Sequence, residues 1–573
     1  MNKPDIHITS IFPILGSLRT YSKHDFKGDL NAGVTVGIML IPQGMAYALI
    51  AGLPPQYGLY AALIPLLIYA MLGTSRHLGV GPVALIALLI ASAVAPIAES
   101  PEEYITLSIL LTLMIGSMQF LLGLFRMGFL VNLLSHPVLS GFVSAAAIII
   151  GFSQLHHLLG IDSVTGGLHE MILGIAVQYS EMKPLSLAIG GGAIAMILIL
   201  KKKLPSFPGS VLAVIAGIAF IYLTNLQEKG IAIVGEISVG LPAFVIPEIE
   251  WQTIVNLMPM AVAIALVAFM EAIAVAKSVQ QKSKEYKVDP NRELVALGAA
   301  NIGGAFFQSF PVSGSFSRTA INYESGAKTG LAGIISAGIV GLTLLFLTPL
   351  FYYLPNAILS AIIIVAVIGL IDFWQMKRLW KLGHYDRYMM IAAFAGTLFI
   401  GVKEGILLGV TLSVIMLLYR SARPNHVVIG RIPGTSVYRN IERYQTENNP
   451  DTLIFRFDAP LHFANAEYFR QKVNELININ PGITCLILDL KGVNEIDTTG
   501  LDELIETIKD VEEKKVLVKL TEVKAPVRDL MNRGSHNKED WTFYMSIEDA
   551  VRSLNGGNTS SENGGYTIHI DTK

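Results

Sequence analysis

Between residues 28 and 422 the chain is one apolar run after another, broken by Gly, Pro and short basic loops. About 20 apolar residues cross a bilayer as a helix. In lipid every backbone polar group must be paired internally, which leaves helices or closed barrels. Scanning with that length marks fourteen segments: 30–51, 57–73, 80–97, 105–125, 129–152, 185–201, 208–225, 254–277, 292–308, 315–324, 328–350, 353–371, 386–401 and 403–420. The third and tenth are irregular, each preceded by Gly- and Ser-rich sequence, GTSRHLGVGPVA and FPVSGSFSRTA.

Composition agrees. The chain is 52% hydrophobic and 15% charged, with a mean hydropathy of +0.54, whereas soluble domains carry about 25% charged residues. The net charge of −2 argues neither for nor against nucleic acid, and nothing else points to it as a partner. A single cysteine, Cys485, excludes an intrachain disulfide. The first 30 residues hold no uninterrupted apolar core, so no cleavable signal peptide is expected.

Loop charge orients the spans. With a cytoplasmic N-terminus, the loops on that side hold Arg76, Arg126, Lys201–Lys203, KSVQQKSKEYK (277–287) and MKRLWKLGHYDR (376–387). The opposite loops hold ESPEEY (99–104), IDSVTGGLHE (161–170) and EIEW (248–251), which are acidic or neutral. Positive residues mark the cytoplasmic side. Fourteen spans therefore put both termini in the cytoplasm of a cell inner (plasma) membrane; thirteen would leave the polar C-terminal part outside. The interrupted third and tenth segments lie seven apart, so the fourteen divide into two sevens, the second inverted. Paired broken helices in inverted repeats mark transporter binding sites.

The chemistry gathers at the breaks. Ser and Pro at 79–82 and 311–317 resist helix, and a half-helix resumes beyond each, near mid-membrane. A helix N-terminus presents unpaired N–H groups and about half a positive charge, and two facing ends make an anion cradle. Val83 and Ala84 would give N–H groups, Ser315 and Ser317 N–H groups and hydroxyls, and Arg318 a full charge. A central arginine costs about 2.5–3.5 kcal/mol, which a bound anion would offset, so Arg318 is expected to face a cavity. The alternative is that it snorkels to the head groups. Glu271, deep in the eighth segment, could carry a proton, bind Na⁺ or pair with Arg318; Val275 one turn on offers no oxygen, which favours H⁺. Gln43 and Tyr47, at i and i+4, share a face of the first segment. They suit an oxyanion rim, or equally helix–helix hydrogen bonding. Pro137 is expected to kink the fifth segment, and His156–His157 to be structural.

Three stretches carry a family resemblance. PPQYGLYAALIPLLIYAMLGTSRHLGVGPVAL (54–85), SHPVLSGFVSAAAIIIGFSQL (135–155) and FPVSGSFSRTAINYESGAKT (310–329) resemble the sulfate permease family, which includes plant sulfate transporters, cyanobacterial bicarbonate transporters, pendrin and prestin. The resemblance implies an α-helical polytopic protein of fourteen spans in a seven-plus-seven inverted repeat, like uracil permeases, with core and gate domains, usually within a homodimer. It implies an anion site on Gln43, Tyr47, Val83, Ala84, Ser315, Ser317 and Arg318. Glu271 matches the acidic position of proton-coupled members; sodium-coupled members carry a hydroxyl one turn on, where this chain has Val275.

The C-terminal part reads differently. From about Arg423 the charge density is ordinary; 423–433 is expected to be a linker, 434–553 a domain, and 554–573 a disordered tail. TLIFRF (452–457), CLILDL and VLVKL (516–520) are strand-like, with amphipathic helices at 466–476 and 500–513 between them. This resembles an α/β STAS domain, here cytoplasmic. NEIDTTGLDEL (494–504) matches its antagonist loop, in which Thr498 would be the phosphorylated hydroxyl; helix capping explains the same residues.

The expected activity is secondary active transport of a small inorganic oxyanion, sulfate first, by H⁺ symport with elevator-like alternating access. Bicarbonate or dicarboxylate transport, uncoupled exchange or a channel, and anion sensing relayed to a protein partner of the STAS domain remain alternatives. No enzyme chemistry, cofactor or metal is expected, and without a Walker-type loop ATP-driven pumping has no support.

Overall fold

The computed structural model describes residues 12–18, 21–129, 135–162, 166–203, 208–247, 250–447, 449–534, 542–554 and 565–566. Residues 1–11 of the N-terminal segment and most of the tail lie outside these. By contact the chain parts into two compact units, Met1–Ser413 and Val414–Lys573.

The first unit is a helical transporter fold in which each of the fourteen segments contains helix. Spans 1 to 7 are Lys23–Ile50, Pro55–Leu72 (broken at 62–63), Ala84–Val94, Pro101–Leu124, His136–Ser153, Pro184–Lys203 and Gly209–Thr224. Spans 8 to 14 are Trp251–Ser283, Pro290–Ala305, Phe316–Glu324, Leu331–Tyr353, Asn356–Ile368, His384–Ala395 and Val402–Ala422. They form the seven-plus-seven inverted repeat. Span 1 begins with a capping box, Ser22 accepting from the Asp25 N–H while Asp25 accepts from the Ser22 N–H. Its proline, Pro42, sits inside an otherwise continuous helix. Pro137 does not kink span 5: it occupies the first turn of His136–Ser153, where no N–H partner is lost.

Spans 1–4 pack with 8–11 as a core, and spans 5–7 with 12–14 as a gate. Buried polar side chains hold the core. Asn301 in span 9 donates to Gln119 Oε1 in span 4 at 3.0 Å and accepts from the Val312 N–H at 2.9 Å. Gln119 in turn donates to the Ala265 carbonyl of span 8 at 3.1 Å. Asp29 of span 1, fully buried, accepts from the N–H and hydroxyl of Thr329 at 3.0 and 2.6 Å. Glu293 of span 9 accepts from Tyr69 at 2.6 Å and from the Thr74 and Ser75 N–H groups at 2.7 and 2.9 Å. Buried carboxylates are tolerable only when satisfied in this way.

The second unit holds a seven-stranded sheet. Strands β1 (Val80–Gly81) and β2 (Ser313–Gly314) belong to the first unit; the sheet uses β3 (His426–Arg431), β4 (Tyr438–Asn440), β5 (Thr452–Phe457), β6 (Cys485–Asp489), β7 (Leu517–Thr521), β8 (Phe543–Tyr544) and β9 (Gly565–Tyr566). Their order is β4-β3-β5-β6-β7-β8-β9, with β5 to β8 parallel and the edges antiparallel. The helices Ala466–Ile479 and Thr498–Glu513 follow β5 and β6, as expected of parallel βαβ units. Two departures stand out. The stretch 423–433 is not free chain, because β3 within it pairs with β5; and Gly565–Tyr566, in the stretch read as tail, pairs with β8.

Candidate functional site

The two interrupted spans meet at the middle of the first unit. Val80 pairs with Gly314 and Gly81 with Ser313 in an antiparallel ladder. The Ser315 N–H donates to the Gly79 carbonyl at 3.1 Å, and the Thr319 hydroxyl accepts from the Gly79 N–H at 2.9 Å. Ser313, fully buried, donates to the Ala268 carbonyl of span 8 at 2.7 Å, fixing the crossing beside Glu271. The approach is close: a Cβ on Gly79 would lie 2.8 Å from Arg318 Cβ.

From this crossing span 3 starts at Ala84 and span 10 at Phe316. Their N-caps, Val83 and Ser315, are extended, and neither helix start is capped by a side chain. Both ends keep the unpaired N–H groups and partial positive charge of a helix start.

A cavity of about 650 Å³ lies between core and gate. From the core it is lined by Gln43, Tyr47, Val83, Ala84, Glu271, Ser315 and Ser317, and from the gate by residues including Ile197, Lys201, Ser210, Ile362 and Leu370. Eight of the nine residues singled out by sequence fall in the first unit, and seven of those share this one wall. The Ser315 and Ser317 hydroxyls stand 3.2 Å apart. Gln43 Oε1 and Glu271 Oε2 are buried with no hydrogen-bond partner. Lys201 and Ser210 line the cavity without having stood out in sequence, where the Lys201–Lys203 run serves topology alone. The cavity runs from mid-span toward the ends of spans 6, 7 and 12, the side of the basic loops.

Arg318 is the exception. It does not line the cavity and does not snorkel; it is fully buried, one layer behind the wall. One residue of helix turns the side chain about 100°, which carries Arg318 away from the direction of Ser317 and onto the β1 strand. There Nη1 donates to the Pro82 carbonyl at 2.8 Å, while Nε and Nη2 have no partner. No ion pair within 4.0 Å joins it to Glu271 among the described residues. Val275, one turn beyond Glu271, is buried and apolar.

In the second unit Thr498 is exposed at the start of Thr498–Glu513. The preceding Asp497 caps that helix, accepting from the Gly500 N–H at 2.7 Å and the Phe463 N–H at 2.9 Å.

Two crossed half-helices between inverted repeats, with a cavity at their starts, define a polytopic membrane transporter, not an enzyme. Residues 26–393 match the sulfate permease family and residues 443–550 the STAS domain. The chain is 37% identical over 568 residues to a protein of Arabidopsis thaliana named sulfate transporter 4.1, chloroplastic, covering 95% of this chain and 82% of that one. It is 36% identical to high affinity sulfate transporter 2 of Stylosanthes hamata, covering 94% and 86%. Among solved structures it superposes on the murine solute carrier 26 family member A9 anion transporter in the inward-facing state, with TM-score 0.88, 26% identity and coverage of 97% and 96%. The chain belongs to the sulfate permease family and carries its C-terminal STAS domain.

Proposed function

We propose that this protein is a secondary active transporter of a small inorganic oxyanion, sulfate first, moved with H⁺. The observation that carries this reading is the pair of uncapped helix starts, at Ala84 and Phe316, opening onto one cavity with the Ser315 and Ser317 hydroxyls. Such ends favour negative charge. Tyr47 and Gln43 supply the rim, and Arg318 adds charge from behind the wall. The names of the plant relatives support sulfate over other oxyanions.

In this reading Glu271 is the coupling carboxylate. It stands on the cavity wall with one oxygen lacking a partner, and Val275 offers no ligand to a sodium ion. The proton taken up by the Glu271 carboxylate would travel with the anion, so the net negative charge moved per cycle would be one less than the anion's own. The core would slide against the gate as an elevator, carrying the site from one side to the other. The basic loops are assigned to the cytoplasm of a plasma membrane, which puts both termini and the STAS domain there and makes this structure inward-facing. The domain limits are assigned as 30–422 for the transporter and 434–553 for the STAS domain. A homodimer is assigned by analogy with the family. Thr498, exposed and next to a helix start that favours phosphate, is the regulatory candidate, and a cytoplasmic protein is its reader.

Labelled sulfate uptake into proteoliposomes with an inward proton gradient tests the reading. Accumulation that collapses with an uncoupler supports it; uptake driven by Na⁺ and indifferent to the proton gradient overturns the coupling, and no uptake removes sulfate.

A further inference from the structure

Spans 12 and 13 are joined by a helix of their own, Phe373–Leu382, sequence FWQMKRLWKL. In sequence it overlaps the basic loop at 376–387. The helix sits at the level of the span ends: Gln375 Nε2 lies 3.4 Å from His136 Nδ1 at the start of span 5. It exposes large aromatics, Phe373 by 70%, Trp374 by 68% and Trp380 by 57%. Cations lie over the two tryptophans. Arg378 is 5.4 Å from the Trp374 ring and Arg387 is 5.2 Å from the Trp380 ring. Between this helix and span 13 runs a groove of about 430 Å³, with Met376, Trp380, Met390 and Ile391 along it and Lys377 and Lys381 at its side.

Each part has a lipid counterpart. Tryptophans with one apolar body and one polar edge settle at head-group depth. An amphipathic helix with a basic face lies in that plane. Lys377 and Lys381, at i and i+4, present two ammonium groups on one side. In 372–387 the four cations Lys377, Arg378, Lys381 and Arg387 face two carboxylates, Asp372 and Asp386. Asp372 is occupied, accepting from the Gln375 N–H at 2.8 Å.

We propose that this groove binds one anionic phospholipid of the adjoining leaflet. An acyl chain lies along Met376, Met390 and Ile391, and the phosphate sits between Lys377 and Lys381. Which leaflet this is rests on the orientation proposed above; the binding itself requires no transport.

The test uses the full chain with Trp251→Phe and Trp541→Phe, which leaves Trp374 and Trp380 as reporters. It is reconstituted in phosphatidylcholine vesicles containing equal small fractions of brominated phosphatidylglycerol or brominated phosphatidylcholine. The anionic lipid quenches more strongly at low mole fraction. Lys377→Gln with Lys381→Gln abolishes that preference, a drop on the order of thirtyfold in selectivity, while the double Lys→Arg variant keeps it. Equal quenching by the two lipids in the parent protein overturns the proposal, as does a preference that survives the double Gln variant. Both readouts are independent of uptake, so failure here leaves the transport reading standing, and failure of transport leaves this one.

Discussion

Gly81 of the first repeat stands opposite Ser313 of the second in a two-residue antiparallel ladder, and each half-helix departs from that ladder within three residues. The pairing fixes the two helix starts relative to each other. It also removes backbone N–H and C=O groups from the unpaired account at a depth where each would cost several kcal/mol. What remains unpaired are the first turns of the helices, which face the cavity.

The ladder tolerates no bulk at its edge. Gly79→Val would drive side-chain carbon into Arg318, whose Cβ is 2.8 Å from the position of a Gly79 Cβ. Overpacking costs about 1–3 kcal/mol. The melting temperature of the purified full chain should fall and sulfate binding should be lost; an unchanged melting temperature argues against the close packing.

The serine hydroxyls should bind the anion directly. Ser315→Ala and Ser317→Ala each lose a hydrogen bond to a charged group, about 1.5–3 kcal/mol, or roughly 10- to 100-fold in Kd. Thr411→Ala, whose hydroxyl serves its own helix at the Leu407 carbonyl, should leave Kd unchanged. Scintillation proximity with labelled sulfate separates the two.

Arg318 should matter without touching the cavity. It is fully buried and has two nitrogens without partners. Arg318→Gln should weaken sulfate binding by about thirtyfold or more, following the roughly 2–5 kcal/mol typical of an unpaired buried charge. The loss should be nearly independent of salt, because buried charges escape screening. A loss that vanishes in high salt would place the arginine in water instead.

Glu271→Gln separates coupling from passage. The amide keeps the shape and cannot exchange a proton. Sulfate counterflow should persist, and proton-driven accumulation should disappear. Accumulation that survives in the variant assigns coupling to another group.

The STAS helices are tied by charge. Arg470 donates to Asp510 at 2.9 Å and to Glu506 at 2.6 Å. The Arg470 hydrogen bond holds the Asp510 carboxyl below the usual carboxylate range. A lowered folded-state pKa stabilises above the unfolded value and is lost as pH falls through the folded one. With the Arg470 and Asp510 side chains 29% and 32% exposed, solvent screening limits the effect to about 1 kcal/mol or less. Protection factors of the amides in Ala466–Ile479 of the full chain, corrected for the slowing of intrinsic exchange in acid, should fall modestly as the pH drops below about 4, and Asp510→Asn should blunt that response.

The spans and the broken third and tenth segments were legible in sequence because lipid enforces long apolar runs, and Gly and Ser interrupt them visibly. The grouping of the candidate residues was legible by type and place: Gln43, Tyr47, Glu271 and the two serines share one cavity wall. The ladder at 80–81 and 313–314 was not, since two-residue strands carry no period. Nor was the direction of Arg318, which one helical residue of rotation decides. The strand His426–Arg431 was hidden by a flanking Pro-rich stretch that looked like linker. Asn301 and Gln119, polar within apolar runs, were a readable signal of core hydrogen bonding that topology alone did not use.

An anion held at the two helix starts is the central feature of the transport proposed for this protein, and one thiol can test for it. In a background of Cys485→Ser, Ser317→Cys would place one thiol on the cavity wall, and its labelling by neutral N-ethylmaleimide can be timed with and without sulfate. Protection by sulfate, half-maximal at the concentration that half-saturates uptake and absent with chloride at equal ionic strength, is the predicted result. Labelling at the same rate with and without sulfate, in protein that takes sulfate up, would contradict the site.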